Sequence, residues 1–190
     1  MNFRNDQWIR FIQNISLAWT SYQILVFGFA ILIFIGSLLL SFPFASQSGE
    51  SLTYIDALFT ATSAVCVTGL TIADTGTYFS TFGQVVIISL IQIGGLGIMT
   101  ATTLIAVLMG KKIHLKDRLM IQESFAHYNS NGVIRLVLYV IKLTLVIELI
   151  GGIILTMFLF PDYGFKAIYL GFWHSISSFC NAGFDILGHG

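Results

Sequence analysis

Three long apolar segments alternate with polar ones along the chain. They cover residues 22–42, 79–109 and 133–160, and a membrane-spanning helix needs roughly 20 consecutive apolar residues. Pro43 and Pro161 follow the first and third segments and are expected to end those helices, because proline lacks a backbone N–H donor. The pattern therefore predicts three spanning helices.

Two shorter helical segments, residues 54–65 and 166–179, lie outside these spans. An apolar stretch of about 10–14 residues is too short to cross a bilayer and suggests a re-entrant or buried helix. Thr53 and Asp56 have the spacing of a capping box at the start of the first short segment. The pattern therefore predicts two helices that dip into the membrane without crossing it.

The same arrangement occurs twice, with a shift of 114 residues, which is the separation of the two cysteines. The shift places LFTATSAVCVTGL over FWHSISSFCNAGF. The identical pairs are Ser63 with Ser177, Cys66 with Cys180, and Gly69 with Gly183. Because an even number of spans separates the copies, we expect parallel repeats related by an axis along the membrane normal.

The composition is that of a membrane protein. The chain is 56% hydrophobic and 9% charged, whereas soluble domains carry about 25% charged residues. The two cysteines form no CxxC motif, and the sequence contains no P-loop or catalytic constellation. We therefore expect an all-α, multi-pass membrane protein that is not an enzyme, binds no cofactor, and contacts membrane lipid and no nucleic acid.

Lysine and arginine are distributed unevenly. Beyond the N-terminal segment 1–20 neither occurs before Lys111, where KKIHLKDR supplies four of them. The positive-inside rule therefore places segment 1–20 and the linker 111–132 in the cytoplasm. The opposite loops contain acids, of which Asp74 and Asp185 are expected to form an outer acidic vestibule that concentrates cations. The alternative is that acids simply avoid the cytoplasmic loops.

The segments that follow the two short helices are the candidate site. A helix that enters from outside places its C-terminal end near the membrane centre, where the helix dipole favours a cation. An extended return segment would offer carbonyl oxygens that replace an ion's hydration shell, and glycine lets the backbone approach the ion path. The candidate ion-filter residues are Cys66, Val67, Thr68 and Gly69 (the first glycine segment, 66–69) and Cys180, Asn181, Ala182 and Gly183 (the second glycine segment, 180–183).

Four stretches carry a resemblance to a known family: TATSAVCVTGLTIADTG, LIQIGGLGIMT, GKKIHLKDR and SISSFCNAGFD. In this order they resemble the Trk/Ktr/HKT superfamily of potassium uptake proteins, and in particular the membrane subunits of bacterial Ktr-type systems. The resemblance covers almost the whole chain from residue 22 onwards. It implies four repeats of transmembrane helix, re-entrant pore helix with filter loop, and transmembrane helix around one path for K⁺ in the bacterial plasma membrane.

The resemblance also implies partners: a homodimer and a cytosolic ring of RCK-type nucleotide-binding subunits. In some members of the family uptake depends on sodium. Residues 21–110 would be the first repeat and residues 133–190 part of the second, so that this would be a partial chain with two of four filter segments. Two alternatives stay open: a cation channel subunit that supplies four segments as a dimer, and a non-conducting scaffold or redox protein that uses Cys66 and Cys180.

Three further features have two interpretations each. GGLG at residues 94–97 is expected to permit close helix packing, with a hinge as the alternative, and alanine at Gly95 should matter less than a substitution at Gly69. Glu148 lies within the third span and has either a packed, hydrogen-bonded role or a role in the ion path. Residues 113–129 fit either an interfacial helix held by lipid headgroups or a docking surface for the cytosolic ring.

Overall fold

The computed structural model describes residues 21–108 and 131–188, and these residues are predominantly helical. Within these ranges the β structure is a single isolated antiparallel bridge between Ser46 and Phe79, which agrees with the predicted all-α class. The expectations for segment 1–20 and for residues 111–130 of the linker lie outside the described residues. The helices are α1 (Ser21–Leu40), α2 (Tyr54–Val65), α3 (Thr81–Leu108), α4 (Asn131–Tyr163) and α5 (Lys166–Phe179), with a 3-10 turn at Pro43–Ala45.

Two of the described helices are long and apolar enough to cross a membrane. Thr81–Ile98 in α3 has a mean hydropathy of 1.7, and Val137–Tyr163 in α4 has a mean hydropathy of 2.4. α1 contributes a shorter apolar stretch, Val26–Leu40. α4 also keeps large apolar side chains on its surface, with Met157 72% and Phe158 80% exposed. Large exposed apolar surfaces are typical of helices that face lipid or further protein.

Helix α3 contacts both short helices, α2 and α5, while α1 packs on α2 and α4 packs on α5. Small residues permit this close arrangement. Ala57, Ala61 and Ala64 of α2 are fully buried, and a Cβ atom added to Gly36 of α1 would lie 2.6 Å from the Leu90 Cδ1 atom of α3. Small residues at helix contacts let backbones approach closely within a membrane. α3 is therefore the element that supports the ends of both short helices.

The predicted capping box at the start of α2 is wrong. Thr53 occupies the N-cap position, but its hydroxyl makes no bond to the helix backbone. The hydroxyl instead donates to the Asp56 carboxylate. The two side chains satisfy each other, since a charged carboxylate is a strong hydrogen-bond acceptor.

The predicted end of the third span is also wrong, because α4 passes through Pro161 and continues to Tyr163. Proline removes one hydrogen bond, and the helix tolerates that loss within its last turn. α4 ends where Gly164 adopts φ +55°. The Gly164 N–H donates to the Phe160 carbonyl oxygen at 2.9 Å, which is a left-handed glycine cap.

Candidate functional site

The first glycine segment follows α2 with an uncommon backbone conformation. Cys66 has φ −83°, after which Val67 and Gly69 have φ values of +58° and +73°. A positive φ is disfavoured for a β-branched residue because its Cβ crowds the backbone. The extended conformation predicted for this segment is therefore wrong at Val67. The N–H groups of residues 66, 67 and 68 donate to the carbonyl oxygens of Thr62, Ala64 and Ser63 at 2.9, 3.3 and 3.0 Å.

The second glycine segment has the same conformation 114 residues later. Cys180 has φ −72°, and Asn181 and Gly183 have φ values of +58° and +74°. Val67 and Asn181 are the two non-glycine residues with positive φ in the described ranges. The N–H groups of residues 180, 181 and 182 donate to the carbonyl oxygens of Ile176, Ser178 and Ser177 at 3.0, 3.0 and 2.8 Å. Each acceptor is the counterpart of the acceptor in the first segment.

A buried serine supports each segment from within its short helix. The Ser63 Oγ atom accepts hydrogen bonds from the Thr68 hydroxyl at 2.9 Å and from the Leu70 N–H at 2.8 Å. The Ser177 hydroxyl donates to the Phe184 carbonyl oxygen at 2.8 Å. Both serines thus bind the backbone seven residues further on. Sequence reasoning paired the two serines without assigning them this role, although their coincidence at the repeat shift was the available signal.

The two glycine segments lie directly against each other. A Cβ atom added to Gly69 would lie 2.6 Å from the Ala182 carbonyl oxygen. A Cβ atom added to Gly183 would lie 3.5 Å from the Gly69 Cα atom. Only a hydrogen atom fits at Gly69, and its positive φ favours glycine for a second reason. Both cysteines are free, with Cys66 exposed and Cys180 buried.

The glycines of α3 are in close contact with the segments, as the packing interpretation of GGLG predicted. A Cβ atom added to Gly94 would lie 2.1 Å from the Val65 carbonyl oxygen at the end of α2. A Cβ atom added to Gly95 would lie 2.8 Å from the Cys180 Sγ atom. Adjacent glycines of one helix therefore contact the last residue of α2 and the first residue of the second glycine segment.

The two acids expected in an outer vestibule have specific partners. The Asp74 Oδ1 atom accepts the N–H groups of Gly76 and Thr77, both at 2.8 Å, which is a turn-forming role. The Asp185 side chain is exposed, and its Oδ1 atom lies 3.1 Å from the His174 Nε2 atom. The His174 Nδ1 atom contacts the Leu170 carbonyl oxygen at 2.8 Å. The contacts of His174 connect α5 to the loop that follows the second glycine segment.

Gln84 is a buried residue that sequence reasoning missed. Its Nε2 atom donates to the Thr75 and Phe79 carbonyl oxygens at 3.2 and 3.1 Å. Its Oε1 atom accepts the Tyr169 hydroxyl at 3.0 Å, and its backbone carbonyl accepts the Trp173 indole N–H at 3.2 Å. The residue therefore joins the loop after the first glycine segment to α5. A glutamine within an apolar span was the only signal of this role.

Gln92 and Glu148 form a second polar contact, further along α3 than Gln84. The Gln92 Nε2 atom donates to the Glu148 Oε2 atom at 3.0 Å, and Glu148 is only 5% exposed. The Gln92 Oε1 atom accepts the Cys180 thiol at 3.8 Å. Glu148 is thus packed and hydrogen-bonded, which was one of its two expected roles. Among the described residues, no three His, Cys, Asp or Glu side chains group together as ligands for a metal ion.

These features define a helical protein with two apolar helices and two matched glycine segments held by a shared central helix, and the comparison with known families agrees with them. Residues 6–189 match the family TrkH, described as cation transport proteins. The chain belongs to this family, which is one of transporters and not of enzymes.

The individual relatives are bacterial uptake proteins. The chain is 47% identical over 167 residues to the potassium/sodium uptake protein NtpJ of Enterococcus hirae, a match that covers 87% of this chain and 37% of that protein. It is 45% identical over 181 residues to the Ktr system potassium uptake protein B of Bacillus subtilis, covering 95% of this chain and 38% of that protein. Ktr system potassium uptake protein D of the same organism is 41% identical over 169 residues, a match that covers 88% of this chain and 38% of that protein. The chain therefore spans less than two fifths of the length of these relatives.

Proposed function

We propose that the first and second glycine segments are two walls of a selectivity filter through which K⁺ crosses the bacterial plasma membrane. The observation that carries the proposal is the matched backbone of the two segments. Positions 67 and 181 share φ +58°, and Gly69 and Gly183 have φ +73° and +74°. Parallel repeats around one axis are a known arrangement of transport proteins. The names of NtpJ and of the Ktr proteins, which are potassium uptake proteins, favour K⁺ as the transported ion.

The φ signs suggest how the segments would bind an ion. In a regular strand all φ values are negative and successive carbonyl groups point to opposite sides. In both segments the sign of φ alternates along the chain. It is negative at the cysteine, positive at the next residue, and positive again at the glycine two residues after that. An alternating sign turns successive carbonyl oxygens towards the same side. Oxygens grouped in this way replace the hydration shell of a monovalent cation.

The conformation of Val67 supports a functional role for the first segment. A β-branched residue in the left-handed region costs about 1–3 kcal/mol, and residues strained in this way cluster at binding sites. Three backbone hydrogen bonds and Ser63 hold the strained segment in place. An ordinary polar loop between two helices would not need this restraint.

In the proposed arrangement α1, α3 and α4 are spans, and α2 and α5 are re-entrant pore helices. Residues 21–110 are the first repeat and residues 133–190 are part of the second, with segment 1–20 and the linker 111–132 in the cytoplasm. Asp74 and Asp185 lie on the outer side, where the exposed carboxylate of Asp185, paired with His174, attracts cations and Asp74 shapes the loop. Two further filter segments, from the same polypeptide or from a second copy, complete the ring around the ion.

The proposed partners are a second copy of the protein and a cytosolic nucleotide-binding ring. The names of two relatives describe components of a Ktr system, which supports an assembly of more than one kind of subunit. The linker is the proposed docking surface for the ring, because its basic residues face the cytoplasm in the proposed orientation. The proposal includes coupling to sodium, and its support is that the name of NtpJ includes that ion.

Gly69→Ser tests the filter, in the complete natural reading frame that contains this sequence. The added Cβ atom meets the Ala182 carbonyl oxygen and sits at a positive φ, which costs about 1–3 kcal/mol. That amount is large for ion discrimination, because about 1.4 kcal/mol corresponds to a tenfold ratio. We expect normal membrane expression, weaker K⁺ uptake and a K⁺ preference over Na⁺ that falls about tenfold. The measurement is rubidium uptake with sodium as competitor in cells deficient in K⁺ uptake.

Gly28→Ser is the matched control, because a Cβ atom at Gly28 in α1 meets nothing within 4 Å. The same chemical change there should leave uptake and ion preference unaltered. An unchanged K⁺ preference in Gly69→Ser would remove this residue from the filter and would disprove the proposal.

A further inference from the structure

Gln92 lies where a single amide can connect a spanning helix to the second glycine segment. Its Nε2 atom donates to the Glu148 Oε2 atom of α4 at 3.0 Å, and its Oε1 atom accepts the thiol of Cys180 at 3.8 Å. Cys180 is the first residue of that segment. The side chain of Gln92 therefore contacts both helix α4 and the second glycine segment.

Glu148 is held from two sides by this arrangement. Its carboxylate accepts the Gln92 amide, while its backbone carbonyl accepts the Ser175 hydroxyl of α5 at 2.7 Å. Ser175 can approach because Gly151 has no side chain, and a Cβ atom there would lie 2.6 Å from the Ser175 Oγ atom. Glu148 thus connects α3 to the helix that leads into the second glycine segment.

Stability alone does not account for Glu148. The side chain is 5% exposed, and its Oε1 atom has no hydrogen-bond partner among the residues that the structure describes. An ionisable group within a membrane span is costly and usually functional, and a buried polar atom without a partner adds to that cost. An apolar residue of similar size would pack α3 against α4 without either penalty.

Within the part of the chain that the structure describes, the first glycine segment has no equivalent of the Glu148 and Ser175 contacts. At the repeat shift, Phe34 stands in place of Glu148 and Ala61 in place of Ser175. Phe34 is exposed, and Ala61 has no hydroxyl to donate. The two segments therefore share a backbone conformation but differ in what lies behind them.

We infer that Gln92 and Glu148 are positioning residues for the second glycine segment and that they help to set the ion preference of the filter. This inference rests on the proposed function of that segment. The Gln92 amide fixes where Cys180 lies relative to α4. The position of Cys180 in turn sets the position of the carbonyl groups of residues 180–183. A shift at Cys180 changes the size of the ion site without removing any atom from it.

Substitutions of both residues test the inference, again in the complete natural reading frame. Gln92→Leu and Glu148→Leu should each lower the K⁺ preference over Na⁺ by about three- to tenfold, the effect of one lost hydrogen bond. Glu148→Gln keeps an oxygen acceptor for the Gln92 amide and should stay within about twofold of the unmodified protein. The double leucine variant should be no worse than either single variant, because the two residues share one interaction. The measurement is rubidium uptake with sodium competition, normalised to protein in the membrane.

Two further variants keep the test decisive. Gln92→Asn shortens the side chain by one methylene, which withdraws the amide from both partners without adding an apolar group. This variant should lower the K⁺ preference over Na⁺ even if the leucine variants fail to reach the membrane. Gln47→Leu is the matched control, since it makes the same change as Gln92→Leu at an exposed amide of the outer loop. It should leave the preference unchanged.

The possible results separate this inference from the proposed filter. If Gly69→Ser lowers the preference while Gln92→Asn and Glu148→Leu leave it unchanged, the positioning role is wrong and the filter stands. If the variants lower the rate of uptake but not the preference, the pair is merely structural and the inference is again wrong. If neither Gly69→Ser nor the pair alters the preference, the filter proposal itself fails.

Discussion

At the scale of single residues, the most informative observation is that a valine and an asparagine share one backbone conformation. Val67 and Asn181 both have φ +58°, although asparagine tolerates the left-handed region and valine does not. The repeat shift could be predicted from the sequence because identical serines, cysteines and glycines mark it. The sign of φ at Val67 could not be predicted, because hydrogen bonds back to Ser63 and the last turn of α2 impose it against the local preference of a β-branched residue.

Exchanging valine and asparagine at positions 67 and 181 tests whether Val67 is strained. Val67→Asn should stabilise the protein by about 1 kcal/mol, because asparagine adopts a positive φ at lower cost. Asn181→Val should destabilise it by a similar amount. Thermal unfolding of the purified protein in detergent measures both changes. Equal unfolding temperatures for Val67→Asn and the unmodified protein would show that Val67 is not strained.

At the scale of secondary-structure elements, the existence of the helices could be predicted but not all of their ends. Segment length and composition identified all five α-helices of residues 21–108 and 131–188. The end of α4 was missed because Gly164, and not Pro161, terminates the helix, and the capping box failed because Thr53 and Asp56 bind each other. A backbone cap decides the first of these ends and a side-chain pair the second, and the sequence spacing does not show which partner each group will take.

The contribution of α3 to the site was only partly visible in the sequence. GGLG indicated close packing, but which element each glycine contacts required the fold. Gly94 meets the backbone of Val65, whereas Gly95 meets the side chain of Cys180. Gln84 and Gln92 carry polar contacts to both sides of the site, and nothing in their spacing predicted those partners.

The difference between adjacent glycines of α3 leads to a prediction for this element. Gly94→Ala places a Cβ atom 2.1 Å from the Val65 carbonyl oxygen, so the helix must move and the variant should lose about 1–3 kcal/mol of stability. Gly95→Ala places a Cβ atom 2.8 Å from the Sγ atom and 3.1 Å from the Cβ atom of Cys180. The thiol can rotate and the Cβ contact requires a shift of only a few tenths of an ångström, so this variant should lose less than half as much. Unfolding temperature and rubidium uptake would be measured for both variants, with Gly28→Ala as control. A Gly94→Ala variant as stable as the unmodified protein would contradict the observed contact between α3 and α2.

At the scale of the whole molecule, orientation in the membrane determines whether the parts work as proposed. The short helices must enter from outside, so that their C-terminal ends and the glycine segments lie at membrane depth. The chain is predicted to have this orientation because Lys and Arg are concentrated in the linker and absent from the loops before it. The exposed acids, including Asp185, then face the side from which cations arrive.

Cysteine labelling tests this orientation. In a background where Cys66 and Cys180 are replaced by serine, a single cysteine is introduced at Ser48, an exposed position in the loop after α1, or at Ser130, which lies outside the described residues. A membrane-impermeant maleimide added to intact cells should react with the cysteine at position 48 and not with the one at position 130. The cysteine at position 130 should react only after the membrane is opened, because the linker is expected in the cytoplasm. Labelling in the opposite order would place α2 and α5 on the cytoplasmic side, and the proposed outer entrance to the filter would then be wrong.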